Sequence, residues 1–230
     1  MVAIYDWISN TKNSRLMPTL WTFGDSLTQG FTFTSQNLWA KSYVNWKNYI
    51  PLCYGDLIAK KLNLELKNFG LGGLDNYTIY ERFTEQYDKF KDGDIIIIGW
   101  TDTGRFRLSN DSDRWYHFIP NFGFDNDSFK FINNETINQI LVNRTSKLYV
   151  DELNGWINFI NKITNNFKII HWTNYNNGMV NATYVDNINK IVNETNGEIK
   201  DYHFSEKGQI EISEILVDVI NNGFHKKKII

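Results

Sequence analysis

The run Asp92-Gly93-Asp94-Ile95-Ile96-Ile97-Ile98-Gly99-Trp100-Thr101-Asp102 fixes the architecture. Its consecutive isoleucines show no polar–apolar alternation, the pattern of a strand covered on both faces in a parallel sheet. Asp92-Gly93-Asp94 is turn chemistry leading into that strand. On either side, shorter segments repeat the theme. Leu20-Trp21-Thr22-Phe23 reads as a first strand, with Pro18 marking the approach to it; Leu64 to Phe69 alternates like a second, and Phe167 to Trp172 reads as another. Helical patterns lie between them. One runs from Pro51, a residue tolerated in a first helical turn, to Leu62. Another runs from a capping Asp75 to about Phe90, and a long one from Asn134 to about Ile163, with an expected break near Asn154-Gly155. Tyr184 to Val192 reads as a short helix, and Ile210, Ile212, Ile215, Leu216 and Val219 mark a C-terminal one. This alternation predicts an α/β fold, a flavodoxin-like three-layer α/β/α sandwich around a central, mostly parallel sheet. The 230 residues suit a single domain over 1–230.

Two stretches interrupt the plan. Residues 31–48 are polar and aromatic without a clean period, and 103–133 mix Arg105, Arg107, Arg114, Trp115 and His117 with glycine, Asp and Asn. Both are expected to be irregular insertions, because long irregular connections commonly serve as lids or binding loops. Their aromatic and arginine content suits a polar ring. The alternative is an oligomer or assembly interface.

Two positions at opposite ends of the chain carry chemistry. Gly24-Asp25-Ser26-Leu27 follows the first strand, where a serine would be exposed in the turn. Taken alone, the tetrapeptide also reads as a strand-end turn in which Asp and Ser satisfy backbone groups. Near the other end, Asp201 and His203 precede the C-terminal helix. A serine hydroxyl needs a neighbouring base to take its proton, and the base needs a carboxylate to fix its tautomer. Ser26, His203 and Asp201 supply those chemistries, and distant strand ends meet at one edge of a parallel sheet.

With these residues in view, the chain resembles the SGNH, or GDSL, hydrolase family. Gly24-Asp25-Ser26-Leu27 matches the nucleophile block. Asn68-Phe69-Gly70-Leu71-Gly72-Gly73 is similar to the glycine block, which implies Gly73 as a backbone oxyanion donor. Gly99-Trp100-Thr101-Asp102 lines up with the Gly-x-Asn-Asp block, and His203-Phe204-Ser205-x-x-Gly208 with the histidine block. The resemblance implies an esterase with Ser26, His203 and Asp201 as catalytic residues and Ser26, Gly73 and Thr101 around the oxyanion. Asn76, Asp102 and Arg105 are candidate substrate-binding residues. Two departures stand out. Thr101 occupies the family's asparagine position, with Asn76 as a nearby substitute, and Asp201 sits two residues before the histidine where the family spaces three. An extended segment would point those two positions to opposite sides. The altered third block motivates an alternative, a non-catalytic binding or structural protein on the same scaffold. An acyltransferase would use the same residues.

The bulk properties exclude other classes. A net charge of −2 gives no reason to expect a nucleic-acid partner, and Lys226-Lys227-Lys228 reads as a solvated tail. No apolar run reaches bilayer length, and Met1 to Arg15 lacks a secretory signal. The expectation is a soluble protein with no membrane partner, cytoplasmic or part of a larger particle, acting on a small-molecule or glycan ester. No cluster has metal-ligand spacing and no phosphate or dinucleotide loop is present, so no metal or cofactor is expected. Cys53 reads as a buried small hydrophobe, His171 as core or strand-end, and His117 as a loop residue.

Overall fold

The structure is a computed structural model, and it describes residues 17–31, 38–109, 115–119, 123–124, 135, 139, 147–164, 167–175 and 181–223. Met1 to Arg15, Arg114 and the lysine run 226–228 lie outside them. The main sheet is built from β1 (Thr19–Phe23), β2 (Glu65–Asn68), β3 (Ile95–Trp100), β7 (Lys168–Thr173) and β8 (Thr183–Tyr184). Its spatial order is β2-β1-β3-β7-β8, with every neighbouring pair parallel. This is the doubly wound order in which the chain reverses direction across the sheet between β1 and β3.

Helices cover both faces, and residue parity decides which side chain meets which layer. Leu20, Ile97, Ile170 and Trp172 face α3 (Tyr54–Leu62) and α7 (Glu206–Asn222), in a core with Ile58, Ile212 and Leu216. Trp21, Phe23, Ile96, Ile98 and Trp100 face the opposite way. They pack with Ile79 and Phe83 of α4 (Asn76–Thr84) and with Leu153, Ile157 and Ile160 of α5 (Lys147–Ile163). The expected α/β fold, a parallel sheet flanked by helices, is therefore present. The isoleucine run is the reason: Ile96 and Ile98 feed one layer and Ile97 the other, all fully buried.

Several boundaries differ from expectation. Residues 38–47 form a helix, α2 (Leu38–Lys47), rather than an irregular insertion. Only Ala40 and Tyr43 of α2 are buried, so it lacks the apolar stripe by which a helix is recognised in sequence. Residues 103–133 are likewise not wholly irregular, for β4 (Phe106–Ser109), β5 (Trp115–Ile119) and β6 (Gly123–Phe124) form an antiparallel sheet. The helix expected from Pro51 starts later, at Tyr54, where the Asp56 carboxylate accepts the Cys53 N–H at 3.0 Å. Cys53 itself is buried. Asp75 does cap α4, its carboxylate accepting the Thr78 N–H, but α4 ends at Thr84 and a separate 3₁₀ turn spans Tyr87–Lys89.

Helix α5 runs unbroken through Asn154-Gly155. Gly155 faces open space, and the apolar face of Leu153, Ile157 and Ile160 outweighs a glycine penalty of about 1 kcal/mol. Asn134 lies outside the described residues. Tyr184 belongs to β8, and the helix expected there is confined to α6 (Ile191–Glu194).

Candidate active site

Chain reversal between β1 and β3 leaves a crevice at their carboxyl ends, and both loops that follow these strands carry predicted site residues. After β1 the chain turns at once into α1 (Ser26–Gln29), capped by the Asp25 carboxylate, which accepts the Leu27 N–H at 2.9 Å. A side chain at Gly24 would come within 2.1 Å of Thr28 Oγ1 and 3.0 Å of the Gly99 carbonyl, so only glycine allows so sharp a turn. Ser26 is therefore presented at the first position of a short helix. The glycine block is fastened alongside. Leu71 N–H donates to the Gly24 carbonyl at 3.1 Å, and Gly72 N–H donates to the Gln29 side chain at 2.8 Å. Gly73 has φ of +81°, a left-handed conformation that favours glycine.

The C-terminal loop brings the other two groups to the same edge. Its backbone is zipped to α6: Val192 N–H donates to the Asp201 carbonyl at 2.9 Å, and Ile191 N–H to the His203 carbonyl at 3.0 Å. Asp201 Oδ1 accepts both the His203 backbone N–H and its ring Nδ1–H, each at 2.8 Å. His203 Nε2 lies 2.9 Å from Ser26 Oγ. The spacing of two works because the Asp201 carboxylate turns back to accept the N–H two residues on, an Asx turn, where the chain bends at His203. Burial pushes the Asp201 carboxyl up, but the hydrogen bonds and charge of His203 outweigh it and hold the carboxyl below its ordinary value. Ser26 is 6% exposed, and the His203 ring is partly open to solvent.

Thr101 and its neighbours do something else. The Thr101 hydroxyl, expected to complete an oxyanion hole, donates instead to Asp25 Oδ2 at 2.7 Å, and the residue is fully buried. Asn76 clamps the Thr101 backbone, its Oδ1 accepting the Thr101 N–H at 2.8 Å and its Nδ2 donating to the Thr101 carbonyl at 3.0 Å. Arg105, expected to touch substrate, donates to Asp25 Oδ2 at 3.0 Å. The Asp102 carboxylate accepts the Gly104 N–H at 2.7 Å within its own turn. These residues brace the Ser26 loop from behind: buried Asp25 is satisfied by Leu27, Thr101 and Arg105 together. Among the described residues, the backbone N–H groups of Ser26 and Gly73 have no hydrogen-bond partner.

Two features were not anticipated from sequence. Trp39, on α2, stacks flat against the His203 imidazole with ring centroids 4.0 Å apart. Sequence offered only an aromatic residue in a stretch without periodicity. Lys190, which precedes α6, donates to Asn174 Oδ1 at 3.2 Å, and burial lowers its ammonium to about 8 against the pull of Asp186 and Asp25. A cleft of about 390 Å³ shares Asn76 and Arg105 with the residues that brace the Ser26 loop and is lined also by Tyr77, Thr103, Arg107 and Trp156, without Ser26 or His203 in its lining. The described start of the 103–133 segment thus contributes to a cleft wall. No group of His, Cys, Asp and Glu suited to a metal ion occurs among the described residues. Nor is any helix among them long and apolar enough to cross a membrane.

No protein-family model matches the chain, and no curated protein matches it in sequence. Solved structures similar to it include a carbohydrate esterase whose active site is described as having divergent catalytic and non-catalytic binding functions. That similarity has 13% sequence identity and a TM-score of 0.45, and covers 92% of this chain and 69% of the other. A protein assigned to the G-D-S-L lipolytic family, from Desulfitobacterium hafniense DCB-2, is similar at 14% identity and a TM-score of 0.38, over 87% of this chain and 98% of that one.

Proposed function

We propose that the chain is a serine hydrolase of carboxylic esters. The observation that carries this reading is the unbroken relay from Asp201 Oδ1 through the His203 ring to Ser26 Oγ, at 2.8 and 2.9 Å, where the chain reverses in a parallel sheet. In the proposed cycle His203 Nε2 takes the Ser26 proton as Oγ attacks the ester carbonyl. The free N–H groups of Ser26 and Gly73 receive the oxyanion. Collapse of the tetrahedral intermediate expels the alcohol, which takes the proton back from Nε2. Water, activated by the same imidazole, then releases the acid from the acyl-enzyme. Asp201 keeps the hydrogen on Nδ1, so that Nε2 faces the hydroxyl as an acceptor.

The substrate we propose is a small acyl group on a sugar or similar polar ring. What supports this is the polar and aromatic character of the cleft that shares Asn76 and Arg105 with the Ser26 surroundings, since Tyr77, Arg107 and Trp156 in its lining suit a hydroxylated ring better than a long alkyl chain. A second reading, a non-catalytic binding protein, draws on one observation: with the Thr101 hydroxyl spent on Asp25, its side chain offers no hydrogen to an oxyanion.

A panel of p-nitrophenyl esters of increasing chain length, run beside acetylated polysaccharides, separates the two. The hydrolase reading expects turnover that falls with chain length and is abolished by Ser26→Ala and by His203→Ala, with the double variant little worse than either. Turnover that persists in Ser26→Ala contradicts it, and a folded wild type inert toward every ester favours the binding protein.

A further inference from the structure

We infer that Trp39 is a positioning residue for His203, fixing the plane of the imidazole and favouring its protonated form through the face of the indole. The two rings are nearly parallel, at 3°, with centroids 4.0 Å apart. The negative face of an indole attracts a cation more strongly than a neutral ring. Imidazole becomes imidazolium when the proton moves from Ser26 Oγ to His203 Nε2: the Oγ–H bond breaks, the Nε2–H bond forms, and the negative charge passes to the attacked carbonyl oxygen. The stack therefore strengthens as the transition state is approached, which is what lowers a barrier rather than merely tightening a ground state. This consequence for rate rests on the hydrolase reading above; the effect on the imidazole does not.

The rest of α2 is arranged to hold the indole in place. Lys47 at its end pairs with Glu194 of α6 and, at 2.7 Å, with Glu206 of α7. The Tyr43 hydroxyl accepts the Glu206 backbone N–H at 2.8 Å, and the Trp46 indole N–H donates to Glu198 at 3.0 Å. These anchors flank His203 in sequence on both sides, so α2 is tied to the same piece of chain that carries the base. Tyr43 also packs on Phe31, which follows the nucleophile helix by one turn. Trp39 thereby spans the two ends of the chain that the site brings together.

The charged groups on the elements around His203 are Asp201, Lys190, Glu194, Glu206 and Lys47, with Lys41, Glu198, Lys200 and Lys207 on the same stretches of chain. Asp201 sits on Nδ1. Lys190 directs its ammonium over the Phe204 ring and to Asn174. Glu194 and Glu206 are matched by Lys47. All of these are common to the wild type and to variants at position 39, so a change seen on replacing Trp39 reports the indole face.

The experiment is a titration of the His203 imidazole by NMR in the full chain, in wild type, Trp39→Leu and Trp39→Phe, with steady-state kinetics on the best ester in parallel. Leucine keeps an apolar cover over the ring and deletes the π face; phenylalanine restores a weaker one. The expected result is a His203 midpoint about 0.5 to 1 lower in pH for Trp39→Leu, with Trp39→Phe between it and wild type. Alongside it, kcat falls about 3- to 10-fold with KM nearly unchanged, and the acid limb of kcat/KM moves to lower pH. A midpoint in folded Trp39→Leu that is unchanged or higher overturns the inference, as does a loss of kcat without any shift in the midpoint. Should Trp39→Leu not fold, Trp39→Phe carries the same test: a downward shift supports and no shift overturns. A midpoint that falls in a protein without ester turnover leaves the stack standing and removes the hydrolase reading.

Discussion

His171 and His203 each lie against a tryptophan, yet the two regions around them ask opposite things of an imidazole. His171 is in the interior of β7, 3% exposed, with its ring 5.9 Å from that of Trp100. The Trp100 indole N–H donates to its Nδ1 at 3.1 Å, and the other nitrogen lies 3.3 Å from Asn161 Oδ1. A donor aimed at Nδ1 forbids a proton there, so the ring stays neutral, with its hydrogen on Nε2. Burial enforces the same choice and lowers its pKa to about 3. His203 has the complementary set: a carboxylate on one nitrogen, a hydroxyl on the other and an indole face above. The lesson is that the partner presented to each nitrogen decides whether a histidine is structural or chemical. Adjacency to tryptophan does not.

The largest effect that would sharpen this contrast lies at the carboxylate. If Asp201 fixes the working tautomer, Asp201→Asn lowers kcat/KM by about 10³ to 10⁴, because the amide offers its N–H to Nδ1 and reproduces the wiring of His171. A loss below about tenfold in the same assay means that something other than Asp201 orients the ring.

A smaller effect is expected behind Ser26. Thr101→Val deletes the donor to Asp25 Oδ2 and leaves Arg105 as its side-chain partner. The loss of one hydrogen bond to a buried charge costs about 1 to 3 kcal/mol in unfolding free energy, read by urea denaturation. Turnover at saturating substrate should change less than about tenfold. A drop of the order of 10² in kcat without loss of stability would instead restore Thr101 to the oxyanion hole.

The smallest effect concerns the core histidine. Its folded pKa lies below the ordinary 6.5, so the unfolded chain binds the proton first as pH falls. The contribution of neutral His171 is fully present above about 6.5 and is lost progressively from there toward about 3. Between pH 7.5 and 5.5 the wild type should lose about 1.4 kcal/mol of stability on this account, and His171→Gln should lose correspondingly less. Identical pH dependence in the two proteins would contradict the neutral assignment, whereas ester turnover by His171→Gln should stay close to wild type.

Much of this was legible in the sequence, for physical reasons that differ by element. Ile95 to Ile98 announced a doubly covered strand because branched apolar residues without alternation have few other uses. Asp75 was legible as a cap because the carboxylate does its work within three residues. Ser26, His203 and Asp201 were legible as a set of complementary chemistries, and the structure brings them within hydrogen-bonding distance of one another.

What escaped was set by distant partners. Helix α2 has almost no apolar stripe and is held by Lys47, Tyr43 and Trp46 reaching to residues more than a hundred positions away. Tyr184 joins the sheet edge through pairing with Thr173, which local pattern does not encode. Thr101 was read as an oxyanion donor because its position in the motif was visible while its partner Asp25 was not. Trp39 was legible only as one aromatic of the 31–48 stretch, since its place against the imidazole exists only once His203 lies beneath it.

The most direct test of the account is covalent labelling of the folded protein with a fluorophosphonate probe, followed by peptide mapping. The account predicts a single label on Ser26, absent in Ser26→Ala, strongly slowed in His203→Ala and undiminished in His171→Gln. A folded wild type that takes no label, or a label that survives Ser26→Ala, would contradict it.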